Sequence, residues 1–228
     1  MFSKLFSKWV LCRGCLKPMS GVGEAGLCAF CWEGLWPLPE KRCPKCALLH
    51  GENSLCPDKV AWECGDSLWN YRGGRPPFGS LLITGIKSGE TGWRRALLKR
   101  IATTGLPPWA GDVDLVTSAP PSPIQKIRRG FDLAEEAAKI ISFRLSLSYA
   151  HTLNKSWFSR RQAKQTESQR RRMPQKNFYV HNSQILAKKT ILLIDDVWTT
   201  GTTLLRCTEV LKKFGAKEVR VLTLFRAV

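Results

Sequence analysis

Thirteen consecutive residues near the C-terminus, Ile191 to Thr203 (ILLIDDVWTTGTT), concentrate the chemistry of this chain. A buried strand over Thr190–Ile194 delivers two adjacent carboxylates, Asp195 and Asp196, to its carboxyl end. A short turn then feeds a helix starting near Thr202. The start of a helix offers unpaired backbone N–H groups and the positive end of a dipole, which suits a phosphate. Thr199, Thr200, Thr202 and Thr203 add hydroxyl donors, and Gly201 permits close approach of the backbone. The paired carboxylates meet the opposite need, because they accept hydrogen bonds from adjacent sugar hydroxyls. Together they predict a cradle for a ribose 5-phosphate at the carboxyl edge of an α/β sheet, where open sheets of this class bind ligands. A plain strand–loop–helix would need neither the acidic pair nor four threonines.

The cysteines supply a second chemistry. Eight of nine lie within the first 64 residues, and only Cys207 lies beyond. Cys12-x-x-Cys15 and Cys28-x-x-Cys31 are separated by twelve residues, so four thiolates can close a tetrahedral structural zinc site. Cys43-Pro-Lys-Cys46 is a third pair, followed by Cys56, with Lys59 where a fourth Cys-x-x-Cys would close. Cys64 and His50 both remain candidates for the last ligand of a second zinc site. Counting thiols favours Cys64, although that residue falls inside an expected strand. Free or redox-active thiols are the alternative, and a disulfide framework is disfavoured because nothing points to secretion.

Composition bounds the rest. The chain has 228 residues, 43% hydrophobic and 24% charged, which excludes a wholly disordered polypeptide. No run approaches the ~18 apolar residues of a membrane span. The N-terminus is interrupted by Lys4 and Lys8 and makes a poor signal peptide, so a cytoplasmic location is expected. Phe2, Leu5, Phe6, Trp9 and Val10 form a helical stripe, read as a short helix covering the cysteine module or else as a face that lies on a membrane or holds a partner. Net charge is +18. Residues 1–64 carry eight Lys/Arg and six Asp/Glu, whereas residues 65–228 carry twenty-eight and twelve, a surplus of +16. The cysteines thus belong to one module and the charge to another, and such a surplus attracts polyanions.

The elements that must position these groups read as alternating strands and helices. Trp62–Tyr71 is expected as a first strand, with helices over Phe78–Ile86 and Trp93–Thr103. Asp114–Ser118 is a short buried strand ending at a proline-rich turn, APPSP. Asp132 opens a helix with Glu135 as its capping-box partner, and apolar residues follow at helical spacing. Thr202–Phe214 is a helix stopped by Gly215, and Val219–Phe225 is the closing strand. This order predicts a parallel sheet with helices on both faces.

Residues 191–203 resemble the phosphoribosyl diphosphate (PRPP) motif of type I phosphoribosyltransferases: hydrophobics, two acidic residues, then Thr-Thr-Gly-x-Thr. The cysteine-rich front, Ile86-Lys87-Ser88, the APPSP turn, Arg128-Arg129-Gly130-Phe131 and the basic segment from Gln162 to Phe178 are similar, in order, to the ComF family. That family comprises predicted phosphoribosyltransferases (amidophosphoribosyltransferases among them) with an N-terminal double zinc ribbon. Its best-known members serve DNA uptake in natural competence. This chain departs from the family pattern in three places. Asp132 stands where Asn is usual, Ser122-Pro123-Ile124 stands where bulky residues are usual, and the last Cys-x-x-Cys is broken.

The resemblance implies a zinc-ribbon module over residues 1–61 and a phosphoribosyltransferase domain over 62–228. It implies structural zinc on Cys12, Cys15, Cys28, Cys31, Cys43, Cys46, Cys56 and Cys64. Asp195 and Asp196 would hold ribose hydroxyls, and Thr199, Thr200, Gly201, Thr202 and Thr203 the 5-phosphate. Magnesium would bridge ribose and pyrophosphate oxygens, and Lys87, Arg128 and Arg129 would clamp the pyrophosphate. Lys155–Lys176, with eight Lys/Arg and one Glu, would be a lid. It could equally be a groove for single-stranded nucleic acid, with Trp157 and Phe158 stacking bases, or a solvated basic loop. The function implied is transfer of phosphoribose from PRPP to an unknown acceptor. The alternatives are a non-enzymatic nucleic-acid-binding competence factor that keeps the PRPP cradle, and a zinc-ribbon adaptor for competence and DNA-processing proteins.

Overall fold

The apolar runs that lack alternation become the centre of a parallel sheet. In the computed structural model, which describes residues 10–19, 23–35, 37–50, 56, 60–73, 77–156, 178–181 and 183–227, four strands order as β3 (Cys64–Asn70), β8 (Glu218–Arg226), β7 (Thr190–Trp198) and β4 (Leu115–Ser118). All three pairings are parallel. Successive side chains along a strand face opposite ways. Accordingly Leu192, Ile194, Leu222 and Leu224 pack on one face, and Ile191, Leu193, Val219 and Val221 on the other. Burial on both faces explains why these strands read as unbroken hydrophobic runs.

The first face is covered by α2 (Phe78–Lys87), α3 (Thr91–Thr103) and α5 (Leu133–Arg144). The second is covered by α6 (Thr202–Lys213), through Leu204, Cys207, Val210 and Leu211. Two small antiparallel pairs stand apart from the main sheet: β1 (Val10–Leu11) with β2 (Pro18–Met19), and β5 (Leu153–Lys155) with β6 (Phe178–Val180). α1 (Ala29–Glu33) follows the second cysteine pair. The expected strands and helices are present with ends moved by a few residues. Beyond the sequence reading lie the β1–β2 and β5–β6 pairs, α1, and a helix after the APPSP turn, α4 (Pro123–Arg129).

The cysteine module packs directly against the sheet domain. Trp32 meets Phe78 edge-on at 6.0 Å, and Trp93 Nε1 donates to the Ala25 carbonyl at 3.1 Å. Arg42 forks onto Asp66 with donor distances of 2.7 and 2.6 Å. Of the N-terminal stripe only Val10 is described; Phe2, Leu5, Phe6 and Trp9 lie outside the described residues. So does most of Lys155–Lys176, including Trp157, Phe158 and Arg170–Arg172.

Candidate functional site

The carboxylates emerge where the sheet loses a strand. β4 ends at Ser118, opposite Ile194, while β8 runs on beside β7 until Arg226 faces Trp198. β7 therefore extends past the expected Ile194, and Asp195–Trp198 is paired on one side only. Its other side opens onto a cleft of about 180 Å³ lined by Asp195, Asp196, Val197 and Thr203, among others. Lys87, at the end of α2, pairs with Asp196 at 2.6 Å. Asp195 is half-buried, and its Oδ1 accepts the Asp196 N–H at 2.8 Å. Burial and then the neighbouring Asp196 carboxylate push its carboxyl up to about 8, against the Asp196 N–H and Lys87.

The turn after β7 passes through a left-handed glycine into the first turn of α6. Gly201 is left-handed (φ 70°, ψ 2°) and precedes the first turn of α6, formed by Thr202 and Thr203. A Cβ at Gly201 would stand 2.9 Å from Trp198 Nε1, so both space and backbone require glycine here. Thr199 and Thr200 are exposed, Thr202 and Thr203 half-buried, and Thr200 and Thr202 share a hydroxyl hydrogen bond of 3.0 Å.

Arg226 holds this turn from behind. It is 1% exposed, stacks on Trp198 at 4.4 Å, and donates to the carbonyls of Trp198 (3.0 Å), Thr199 (2.7 Å) and Cys46 (3.1 Å). Sequence reasoning missed this residue. Its only signal was a basic side chain ending an apolar strand, a place where a charge stays buried only if it is fully hydrogen-bonded.

The opposite wall comes from the segment after β4. Ser122 opens α4 with a complete capping box to Gln125 and proline at the first helical position, a signature present in Ser-Pro-x-Gln and not used in the sequence reading. Gly130 (φ 71°) closes α4 and turns the chain to Asp132. Ala119 to Ser122, Arg129 and Asp132 line the cleft; Arg128, one residue and a wide angular step round the helix, is exposed and is not part of the lining. Lys155 of β5, read from sequence only as the first residue of the basic segment, also lines it. Asp132 caps α5 by accepting the Glu135 N–H at 3.2 Å. The Glu135 carboxylate does not complete the expected box, because it pairs with Lys126 (3.2 Å) and Lys139 (2.8 Å). Burial pushes the Asp132 carboxyl up to about 6. Arg129 Nε and Asp132 Oδ2 are both buried without a hydrogen-bond partner among the described residues.

The cysteines form two groups of four donors. Cys12, Cys15, Cys28 and Cys31 bring their sulfurs within 4.8 Å of one another, with Cys12–Cys31 at 3.6 Å and Cys15–Cys28 at 3.8 Å. Four sulfurs each ~2.3 Å from one zinc ion stand about 3.8 Å apart, so this donor set fits zinc. Burial disfavours ionisation of Cys12, but the N–H groups of Cys15, Cys28 and Gly14 outweigh it and bring the thiol down to about 6. The second group is Cys43, Cys46, His50 and Cys56, with Cys43–Cys56 at 3.5 Å and Cys46 Sγ–His50 Nε2 at 3.2 Å. Its fourth donor is His50, not the Cys64 that thiol counting favours. Cys64 opens β3 in register with Arg220, which commits its backbone to the sheet, while His50 follows Cys46 by four residues. Both groups could hold zinc. Asp195 and Asp196 offer hard oxygen donors, and among the described residues no acidic group gathers into a metal cage of its own.

Comparison with known proteins bears on residues at this cleft. Residues 128–227 match the phosphoribosyl transferase domain family. The chain is 31% identical over 107 residues to the competence protein ComFC of Streptococcus pneumoniae, covering 47% of this chain and 46% of that protein. It therefore spans about half the length of the curated relative it matches. Among solved structures, glutamine PRPP amidotransferase from B. subtilis overlaps 57% of this chain and 25% of its own at 22% identity, with a TM-score of 0.38. A hypoxanthine phosphoribosyltransferase from Staphylococcus aureus overlaps 63% of this chain and 64% of its own at 16% identity, with a TM-score of 0.32. The match over residues 128–227 lies behind cysteine clusters suited to a zinc ribbon, the combination by which the sequence resembles the ComF family.

Proposed function

We propose that the cleft binds PRPP with magnesium and transfers its phosphoribosyl group to an acceptor, in a protein of the competence type. The observation that carries this reading is the placement of Asp195 and Asp196 beside a left-handed Gly201 and the first turn of α6, all at the carboxyl end of β7. Asp195 and Asp196 accept hydrogen bonds from the ribose hydroxyls. The N–H groups and hydroxyls of Thr199–Thr203 hold the 5-phosphate at the helix start. Lys87, Arg129 and Lys155 supply positive charge where pyrophosphate gathers negative charge as it leaves. Arg128, exposed on α4, would reach the ligand only from the rim. Magnesium, when bound, would neutralise pyrophosphate oxygens with most of its shell drawn from substrate and water. A cationic wall facing two carboxylates suits a transition state that is positive at the sugar and negative at the leaving group.

Calorimetric titration with magnesium and PRPP tests the reading. Asp195→Asn with Asp196→Asn keeps the shape but removes charge-assisted hydrogen bonds worth ~1.5–3 kcal/mol each, so affinity should fall at least tenfold. Unchanged binding in the double variant removes the basis for the site. The +16 surplus of residues 65–228 supports a second, polyanionic ligand, and single-stranded nucleic acid is our second reading.

A further inference from the structure

Three successive carbonyls of the Cys43–Cys46 turn point into the sheet domain. Pro44 accepts the Gly65 N–H at 2.8 Å, Lys45 accepts Trp62 Nε1–H at 2.7 Å, and Cys46 accepts Arg226 Nε–H at 3.1 Å. Glycine at 65 permits this approach, because a Cβ there would stand 2.8 Å from the Lys45 oxygen and 2.7 Å from Trp62 Nε1. The two side chains among these donors both pack on Trp198. Trp62 meets it edge-on at 5.1 Å, and the Arg226 guanidinium lies over its ring at 4.4 Å. Trp198 is the last residue of β7 and leads into Thr199 and Gly201.

Arg226 also fixes the backbone of that second turn. Its Nη1 donates to the carbonyls of Trp198 at 3.0 Å and Thr199 at 2.7 Å. In a planar trans peptide the N–H points opposite to the C=O. With those two carbonyls drawn back to Arg226, the N–H groups of Thr199 and Thr200 face away from it, and both residues are exposed. A buried guanidinium costs free energy that an aliphatic side chain closing the same strand would not. Here it ties the second cysteine group to the turn between β7 and α6.

We propose that Arg226 is a positioning residue that transmits the shape of the Cys43–Cys46 turn to Thr199 and Thr200, so that the cleft reaches full affinity for PRPP only while the second cysteine group is intact. This rests on the PRPP reading above. Zinc on Cys43, Cys46, His50 and Cys56 would hold the shape of the first turn. The cysteine group then contributes to ligand recognition without touching the ligand. Charge alone behind the turn is the competing account, and lysine separates the two. Arg226→Lys keeps the cation, but one ammonium cannot span the Cys46 and Thr199 carbonyls as the planar fork does.

The test is calorimetric titration of the full chain with magnesium-PRPP, with zinc content and thermal midpoint recorded for each protein. Wild type is compared with Arg226→Lys, Cys56→Ser and the double variant. Arg226→Lys should keep its zinc and its fold and lose roughly tenfold in PRPP affinity, as hydrogen bonds from a charged group are lost. Cys56→Ser should lose one zinc ion and several-fold in affinity. The double variant should be weaker than the weaker single variant by no more than about twofold, because both changes cut one path. If Arg226→Lys does not fold, Trp62→Phe takes its place. It keeps a ring against Trp198, removes the donor to Lys45, and should lose about threefold in affinity with the same lack of additivity. Wild-type affinity in either single variant, or losses that multiply in the double variant, overturns the proposal and leaves the PRPP reading standing. Failure of wild type to bind PRPP overturns both.

Discussion

At the residue scale the site works against the stability of the fold. Asp195 has its carboxyl raised from an ordinary 3.8 to about 8 by burial and by Asp196. Asp132 is raised in the same sense to about 6. A carboxyl with a raised value in the folded state favours the protonated fold. Its contribution to stability is therefore complete below about pH 4 and is lost as pH rises through the folded value. The thermal midpoint of the wild type should fall between pH 5 and pH 8 relative to Asp195→Asn, which has no such proton to lose. Parallel pH profiles for the two proteins would show that Asp195 carries no such strain. Magnesium with PRPP should narrow the difference, because hydrogen-bond donors on the sugar favour the ionised carboxylate. The identities of Asp195, Asp196 and Gly201 were legible from sequence because residue type and order alone define them. The Asp132 oxygen without a partner among the described residues was not, since it depends on what surrounds the side chain.

At the scale of elements the second cysteine group and the turn between β7 and α6 are mechanically joined. Cys46 gives its carbonyl to Arg226, which also holds the carbonyls of Trp198 and Thr199. Trp62 donates to the Lys45 carbonyl at 2.7 Å and meets Trp198 edge-on at 5.1 Å. Loss of metal from Cys43, Cys46, His50 and Cys56 should therefore loosen the turn as well as the ribbon. Metal analysis should find two zinc ions per chain. His50→Ala and Cys56→Ser should each lower the count by one, while Cys64→Ser should leave it unchanged. A fall with Cys64→Ser and none with His50→Ala would return Cys64 to the site. Chelation that empties the second group should also weaken PRPP binding several-fold, and identical affinity before and after would break the proposed link.

Across the whole molecule, positive charge sets what is attracted to the surface. A net +18, nearly all of it beyond residue 64, gives long-range attraction for polyanions. We expect weak binding of single-stranded nucleic acid whose affinity falls steeply with salt, as counterions are released from neutralised phosphates. Arg170, Arg171 and Arg172 changed together to Ala should weaken it and flatten the salt dependence. Filter binding from low to high salt would decide this, and a salt-independent affinity would point away from phosphate contacts. PRPP at saturation should displace the strand in part if both ligands use the cradle around Thr199–Thr203.

Most of the sheet domain could be read from sequence because its signals are local. Continuous apolar runs make doubly buried strands, period and caps make helices, and Asp-Asp followed by Thr-Thr-Gly-Thr-Thr makes a strand–turn–helix with donors at the turn. The first cysteine group was legible for the same reason, since it is four cysteines in two Cys-x-x-Cys pairs. Other features depended on which distant parts of the chain meet. His50 rather than Cys64 joins the second group because β3 claims Cys64 through pairing with β8. Arg226 reaches Cys46 across 180 residues, and Asp132, where α4, α5 and β7 line one cleft, has an oxygen without a partner among the described residues. Composition and spacing act through neighbours in the chain, whereas ligand choice, buried charge and unpaired polar atoms are set by neighbours in space, and those exist only once the sheet has closed.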